Sequence, residues 1–426
     1  MAEAPLSLEP LARWLSGRME HEEVLRVIPP LLLARCPSSL TAARELANLQ
    51  EEVGHWDELV VLLEAEQATE QLAELAELPF ERQLDAVRQD ENLHTWGLCQ
   101  ALLKRSRQAV LSDPYLAIDD ATLAVQVAKH LSSAYDPAWI LDLEARAYAH
   151  LGNARRVLGE LRSAEDAFRT AEWCLAQGGT GSRAVEAEIW DLKASLRRAQ
   201  RRFDEALALL DKAIEIYLRD PQEGDPHLAG RTLVNKSKTL ASLGDLGGAI
   251  EAVRQAEELV DVQRDPRLLL CLRHNQVLYL SELERYLEAE TLLSSVWALV
   301  RQCGSELDSL RTHWLHGQID LGLGRLAQAE SVLLQVQADF LQRKMAFDAA
   351  LVSLDLAVVY ALQGNSQELK KLALAVLPLF EDREVHREAL VMLLLFQRAC
   401  EEERLTVGLA RHLSTHLSRA RGSAFL

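Results

Sequence analysis

"LGNARRVLGELRSAEDAFRTA", residues 151–171, has the pattern of two helices joined by a short turn. Gly152 lies in the first apolar stretch, and Ala164 lies where a small residue lets the two helices approach closely. Gly159 stands at the break, where helices often end in a left-handed residue. After the turn, small and aromatic residues recur at the spacing of one helix face: Ala164, Phe168 and Ala171. The stretch therefore predicts an antiparallel helical hairpin.

The same pattern recurs along the chain, in "RRFDEALALLDKA" (201–213), "GDLGGAIEAVRQA" (244–256), "ERYLEAETLLSSV" (284–296) and "GRLAQAESVLLQV" (324–336). The aligned positions are 40 to 43 residues apart: Ala121, Ala164, Ala206, Ala249, Ala289, Ala329 and Leu369. A fixed period of this length is typical of stacked repeats, because one hairpin alone cannot bury its apolar face. We therefore expect an all-α fold, a right-handed superhelical solenoid of antiparallel helix hairpins.

The hairpins resemble tetratricopeptide repeats over residues 101–385. That family has an aromatic residue early in the first helix and Leu-Gly a few residues later, as in Tyr148, Leu151 and Gly152. Its second helix has Ala, an aromatic residue or Leu, and Ala: here Ala206, Leu210 and Ala213. The period of 40–43 exceeds the family's usual length of about 34. Peptide-sensing bacterial regulators of this repeat class also have long repeats.

The chain divides into three predicted regions. Residues 1–100 form an N-terminal helical region with a degenerate hairpin at 40–67, residues 101–385 form the array, and residues 386–426 form C-terminal capping helices. The stretch "LLLARCPSS" (31–39) is similar to the His-x3-Cys-x2-Cys zinc motif of bacterial anti-sigma modules. The three ligand positions hold Leu32, Cys36 and Ser39. Only one of the three positions, Cys36, holds a metal ligand, so we expect no metal there.

Composition argues against several classes of function. The chain has 64 acidic and 46 basic residues and a net charge of -18, which disfavours direct binding to nucleic acid. No unbroken apolar run reaches the ~18 residues of a membrane span, and the first residues do not resemble a secretion signal. The six cysteines are scattered, as expected for reduced thiols. We therefore expect a cytoplasmic protein that does not contact membranes.

Two kinds of motif resemble catalytic or cofactor sites, but each lacks the residues or the structural context that such a site needs. "GLGRLA" (322–327) matches a dinucleotide-binding pattern but follows a helix and occupies a repeat's own turn. The histidine pairs in "HWLH" (313–316) and "HLSTH" (412–416) lack a third ligand and a general base. We therefore expect no enzymatic activity, no cofactor and no metal.

The resemblance implies a ligand site on the concave face, where polar side chains of the first helices often hold a peptide's backbone or carboxylate. Six of the transferred residues are Arg or Lys, which favours an acidic peptide or a C-terminal carboxylate. Trp314 is expected to add an apolar anchor. The predicted partner-binding residues are Arg146, Asn153, Arg156, Arg198, Arg231, Asn235, Lys238, His274, Asn275, Arg311, Trp314 and Gln318.

Two functions remain open from the sequence. The first is a non-catalytic scaffold or adaptor that binds an acidic or extended segment of a partner protein in its groove. The second is a regulatory sensor whose superhelix changes shape when a peptide or partner binds, and which thereby controls an effector. The sequence determines neither the partner nor the oligomeric state.

Overall fold

The computed structural model describes residues 67–110, 112–131, 135–220, 224–376, 395–400 and 405–420. The regular elements in these ranges are helices, without strands. Residues 67–76 are helical, and the named helices are α1 (Phe80–Gln89), α2 (Trp96–Ala109), α3 (Pro114–His130), α4 (Pro137–Val157), α5 (Leu161–Ala176), α6 (Arg183–Ala199), α7 (Phe203–Arg219), α8 (Pro226–Leu243), α9 (Leu246–Leu259), α10 (Pro266–Glu282), α11 (Tyr286–Cys303), α12 (Glu306–Gly322), α13 (Leu326–Gln342), α14 (Ala346–Gln363), α15 (Ser366–Val376) and α16 (Val407–Ala420).

The chain forms two compact units, Met1–Leu196 and Arg197–Leu426, whose boundary falls within α6. In the first unit α4 packs against α5, and in the second α8, α10, α12 and α14 each pack against the helix that follows. The prediction of an all-α array of helix hairpins is confirmed. The predicted motif at 31–39 and almost all of the predicted hairpin at 40–67 lie outside the described residues, as does part of the predicted cap at 386–426.

Four helices begin with the same dipeptide, an aspartate followed by proline. The side chains of Asp113, Asp136, Asp225 and Asp265 each accept a hydrogen bond from a backbone N–H in the first turn of α3, α4, α8 and α10. Proline suits the next position because it has no N–H to satisfy and its φ already matches the helix. This dipeptide therefore sets where these helices start.

We call the two helices of each hairpin, from α4–α5 to α14–α15, the first helix and the second helix. The turn between them contains a residue with positive φ. Gly159, Gly244, Gly324 and Gly364 have φ between 70° and 98°, as the sequence predicts. The two turns without glycine adopt the same conformation at Arg201 and Glu284, with φ of 60° and 59°. The turn geometry is thus kept even where a side chain makes the left-handed conformation less favourable.

The two classes of helix are buried differently. A second helix such as α13 buries one stripe of apolar residues at spacings of four, three and four: Ala329, Leu333, Val336 and Phe340. The first helix α14 is buried at every position from Ala349 to Tyr360. Second helices are therefore amphipathic surface helices, whereas first helices are enclosed by their neighbours.

Helix α14 also has the length and composition of a membrane span, alone among the helices of the described ranges. Its 18 residues have a mean hydropathy of 1.5, and 72% of them are buried inside the protein. It packs against α13, α15 and α16 and carries two buried aspartates, Asp348 and Asp355. These contacts make α14 a core helix of the second unit, which a search for unbroken apolar runs did not single out.

We expect Gly152→Ala to lower the free energy of unfolding by about 1–3 kcal/mol. A Cβ atom at Gly152 would lie 2.9 Å from the Phe168 ring and 3.2 Å from the Ala164 carbonyl oxygen. Phe168 is fully buried, so its ring cannot move aside freely. Urea unfolding monitored by circular dichroism measures the change.

The matched control is Gly247→Ala, on the exposed face of α9, where the nearest atom to a new Cβ is 3.8 Å away. We expect this variant to be as stable as the parent protein or more stable by up to about 1 kcal/mol, because alanine favours helix. Equal effects of the two substitutions would contradict close contact between α4 and α5 at Gly152.

Candidate functional site

The polar side chains that the fold buries are confined to one class of helix. Among the described residues from α4 to α15, the buried polar and charged residues (Cys and Tyr aside) lie on α4, α6, α8, α10, α12 and α14. None lies on a second helix of that range. Because first helices are enclosed on several sides, their polar groups lose water and need partners within the protein or from a ligand. A ligand site is therefore expected on the first helices.

In the first unit, the predicted residues of α4 are largely occupied with one another and with α6. Arg146 Nε donates to Glu188 Oε2 at 2.8 Å, and His150 Nε2 lies 3.1 Å from Glu188 Oε1. Arg156 donates two hydrogen bonds to Asn153 Oδ1, at 3.0 and 2.9 Å. The positive charge of Arg146 is therefore compensated within the unit.

These neighbours shift the pKa of the Glu188 carboxyl group. Burial acts to raise its pKa, but the Arg146 guanidinium and the His150 hydrogen bond outweigh it. As a result, the pKa of Glu188 lies well below its usual range. Glu188 is thus ionised at neutral pH and holds α4 to α6.

In the second unit, positive charges from two first helices lie near one histidine on a third first helix. His274 of α10 is fully buried, and its pKa is lowered to about 3, first by burial and then by the nearby charges of Arg311 and Lys238. The negative charge of Asp308 acts to raise the pKa of His274. Lys238 lies on α8 and Arg311 on α12, so α8, α10 and α12 place both charges near the same ring.

The amide of Asn275 lies next to this group along α10. Asn275 is 1% exposed, and its Nδ2 has no hydrogen-bond partner among the described residues. A buried amide without a partner costs free energy unless a ligand supplies an acceptor. On α8, Arg231, Asn235 and Lys238 are partly exposed and fall at i, i+4 and i+7, on one helix face. Together, these residues form a polar and basic surface on α8, α10 and α12, which we call the basic inner surface.

Arg198, another predicted site residue, lies near the same helices. Arg198 is 7% exposed, and its charge acts on the hydroxyl group of Tyr279 in α10. The pKa of Tyr279 is raised, because burial outweighs the opposing effects of its hydrogen bond with Ser237 and of Arg198. Arg198 therefore lies at the edge of the basic inner surface.

Trp314 does not form the exposed apolar anchor that the sequence predicted. Its side chain is almost fully buried, and its ring packs edge-on against Phe340 at 5.8 Å between centroids. The indole Nε1 donates to Asp355 Oδ2 at 2.7 Å, and Gln318 Nε2 donates to the same oxygen at 2.9 Å. Trp314 and Gln318 thus join α12 to α14 through one buried carboxylate.

Three carboxylates that join successive first helices were missed by the sequence analysis. Glu188 follows Arg146 by 42 residues and Asp355 follows Trp314 by 41. Asp308, which is 1% exposed, follows its partner Arg267 by 41, with 3.0 Å between Arg267 Nη1 and Asp308 Oδ2. The repeat period itself carried the signal, because a residue one period later lies on the next first helix.

In the described part of the chain, no group of three or more His, Cys, Asp or Glu side chains is placed to hold a metal ion.

Residues 187–220 match the family model of the tetratricopeptide repeat. The chain carries a tetratricopeptide repeat. The matched segment covers most of α6 and all of α7, which is the hairpin type that recurs along the array. No curated protein matches the chain in sequence.

Solved structures share the fold at low sequence identity. A Rap protein complexed with competence and sporulation factor is 14% identical, with a TM-score of 0.54 over 74% of this chain and 85% of that one. Aspartyl phosphate phosphatase F from Bacillus subtilis is 14% identical, with a TM-score of 0.51 over 90% of this chain and 99% of that one. A signal transduction ATPase from Pyrococcus horikoshii with a tetratricopeptide repeat sensor is 17% identical, with a TM-score of 0.52 over 93% of this chain. The match covers 56% of that ATPase.

We expect Glu188→Gln to reduce the free energy of unfolding at pH 7 by about 1–3 kcal/mol, because the ion pair and its hydrogen bonds are partly buried. The folded pKa of Glu188 is lowered, so this contribution is complete above the unfolded pKa of about 4.3 and is lost as the pH falls further. Urea unfolding at pH 7 and at pH 3.5 tests this, with Glu186→Gln in the same helix as control. A difference that persists undiminished at low pH would contradict it.

Burial of neutral His274 is expected to make the second unit sensitive to mild acid. Between the unfolded pKa of about 6.5 and the folded pKa of about 3, the unfolded state binds the additional proton, so stability falls as the pH is lowered. The loss attributable to His274 is about 2 kcal/mol between pH 7.5 and pH 5. We expect the His274→Gln variant to lose about 2 kcal/mol less unfolding free energy than the intact protein between these two pH values, as measured by urea unfolding at both. An unchanged pH dependence would show that folding does not lower the pKa of His274.

Proposed function

We propose that the protein is a non-catalytic interaction protein that binds an acidic, extended segment of a partner protein on the basic inner surface of α8, α10 and α12. The observation that carries the proposal is the convergence of Lys238 and Arg311 on the buried surroundings of His274 and Asn275. The chain as a whole has a charge of -18, so a basic surface of this kind is a local exception.

A carboxylate is the ligand chemistry that fits this surface best. Lys and Arg donate charge-assisted hydrogen bonds to a carboxylate, and the Asn275 amide offers one more donor. Partly buried charges are screened by salt less than exposed ones are. The row of Arg231, Asn235 and Lys238 along α8 gives an extended chain further donors at regular spacing. An acidic side chain or a C-terminal carboxylate of the partner supplies the anion.

The second candidate is a regulatory sensor, in which binding of a partner or peptide changes the arrangement of the repeats. One structural neighbour is described as carrying a tetratricopeptide repeat sensor, and another was solved in complex with a factor. Those descriptions concern those proteins. They favour this candidate only because their repeats have the same fold as this chain.

The absence of catalysis, the cytoplasmic location and the lack of direct binding to nucleic acid or membrane belong to the same proposal. The word phosphatase in the name of one neighbour describes that protein alone, at 14% identity. The negative net charge supports a protein partner rather than a phosphate backbone.

Replacing Arg231 and Lys238 together by Glu should abolish selection of acidic peptides. The intact protein, immobilised and incubated with a library of twelve-residue synthetic peptides bearing free C-termini, should enrich acidic sequences at least tenfold over neutral ones. Reversing two charges turns attraction into repulsion at the site. Mass spectrometry of the retained peptides gives the enrichment.

The matched control is Arg301→Glu with Lys344→Glu, two exposed charges outside the basic inner surface. This variant has the same net charge as the first one and should keep the enrichment. Enrichment that is indifferent to peptide charge, or that both variants lose equally, would contradict the proposed site.

A further inference from the structure

Residues 260–265, which we call the α9–α10 loop, are attached to the start of α8 by two contacts. The backbone N–H of Asp261 donates to His227 Nδ1 at 3.1 Å. Arg264 Nη1 donates to Asp225 Oδ2 at 2.7 Å. The partners are 34 and 39 residues apart in the chain. The two contacts therefore join one hairpin to the connection that leads into the next.

The first of these contacts fixes the protonation state of His227. A backbone N–H can only donate a hydrogen bond, so Nδ1 of the ring accepts this bond and carries no proton. His227 lies in the first turn of α8 and is 6% exposed. An imidazolium has an N–H at both ring nitrogens, so protonation would set a second donor against the Asp261 N–H. The contact therefore exists only while His227 is neutral.

The chain around this contact is closely packed. A Cβ atom at Gly230, one turn after His227, would lie 2.8 Å from Val260 Cγ2. Val260 is buried and immediately precedes Asp261. The side chain of Asp261 accepts hydrogen bonds from two backbone N–H groups of the loop, at 2.9 and 3.2 Å, and these fix the shape of the loop. A repulsive contact at the ring therefore displaces the loop rather than the Asp261 N–H alone.

Four charged groups of the described residues act on the His227 ring. Arg264 of the loop and Arg231 of α8 act to lower its pKa. Asp225 before α8 and Asp265 before α10 act to raise it. Burial has the largest effect, and the pKa of His227 is lowered from its usual value of about 6.5. An open form with a solvated ring binds the proton more readily than the closed form does, so mild acid favours opening.

We propose that His227 is an acid-sensitive latch: its neutral ring holds the α9–α10 loop to α8, and protonation of the ring releases the loop. The loop leads into Asp265, which caps α10, and α10 contacts both α8 and α9. Release therefore loosens the attachment of the α10–α11 hairpin to the α8–α9 hairpin, at the end where both first helices begin. Protonation of a histidine at an interface is a known way to bias two arrangements of a fold. The latch goes beyond the proposed function and requires no ligand.

Amide hydrogen exchange at Asp261 tests the latch directly, because this N–H is the donor to the ring. The Val260 amide, which donates to the Ala256 carbonyl oxygen at 3.0 Å, is the reference within the same protein. We expect the protection factor of Asp261 to fall at least tenfold relative to that of Val260 between pH 7.5 and pH 4.5. The ratio cancels the effect of pH on the chemical exchange rate. Mass spectrometry with electron-transfer fragmentation resolves the two amides in the full chain.

The His227→Asn variant keeps an acceptor and removes the titration, because the asparagine Oδ1 takes a position similar to that of Nδ1. We expect its ratio of Asp261 to Val260 protection to be independent of pH. The matched control is His313→Asn, which removes an exposed histidine of α12 in the same unit. This control should keep the tenfold fall of the intact protein.

A second measurement keeps the proposal falsifiable if the asparagine variant does not fold. Ring-nitrogen chemical shifts of His227, in protein containing isotope-labelled histidine, should show an unprotonated Nδ1 at pH 7.5. They should change over the same pH range in which Asp261 loses protection. An unchanged protection ratio in the intact protein, an equal fall in the His227→Asn variant, or a ring that titrates without loss of protection would overturn the latch. None of these results depends on the acidic-peptide site.

Discussion

Enclosure of the first helices is the constraint on which the rest of this structure depends. A second helix shows one face to water, so its polar residues need no partner within the protein. A first helix is surrounded by its own hairpin partner and by neighbouring hairpins, and α14 is buried over twelve consecutive positions, 349–360. The buried polar side chains between α4 and α15 are therefore on first helices, within the described residues. Both the stability of the stack and its ability to bind depend on how those groups are satisfied.

The repeat period supplies most of the partners. Arg146 with Glu188, Arg267 with Asp308, and Trp314 with Asp355 each join residues 41 or 42 positions apart, so each contact links one first helix to the next. These links fix the stacking of successive hairpins as the apolar stripes alone would not, because they are directional. Lys238 and Arg311, on two different first helices, both act on the buried His274 of a third, so positive charge is brought together there.

The array was predictable from sequence because its signals are local. Gly159, Ala164 and Phe168 mark a turn and a helix face within ten residues, and the alignment of such segments gave the period. The left-handed residues at Arg201 and Glu284 also fall in turns that the period located, although glycine is missing there. These features depend on backbone geometry, which neighbouring residues in the chain largely determine.

The site was predictable only in part, because its electrostatics are not local. Basic residues of the first helices were identified, but their pairing required knowing which carboxylate lies across from each, as Glu188 does from Arg146. Trp314 resembled a surface anchor by position, whereas burial against Phe340 and a hydrogen bond to Asp355 make it a core residue. The contact between Arg411 and Glu284 joins residues 127 positions apart, so the repeat period did not predict it.

Photo-crosslinking is the most direct test of the claim that ligands bind to the first helices. A photoreactive phenylalanine is placed at Asn235 on α8 in one protein and at Arg254 on the exposed face of α9 in another. Each is irradiated with an acidic peptide retained by the intact protein. The account predicts a covalent adduct from position 235 and none from position 254. An adduct from position 254 alone would place the binding surface on the second helices and contradict it.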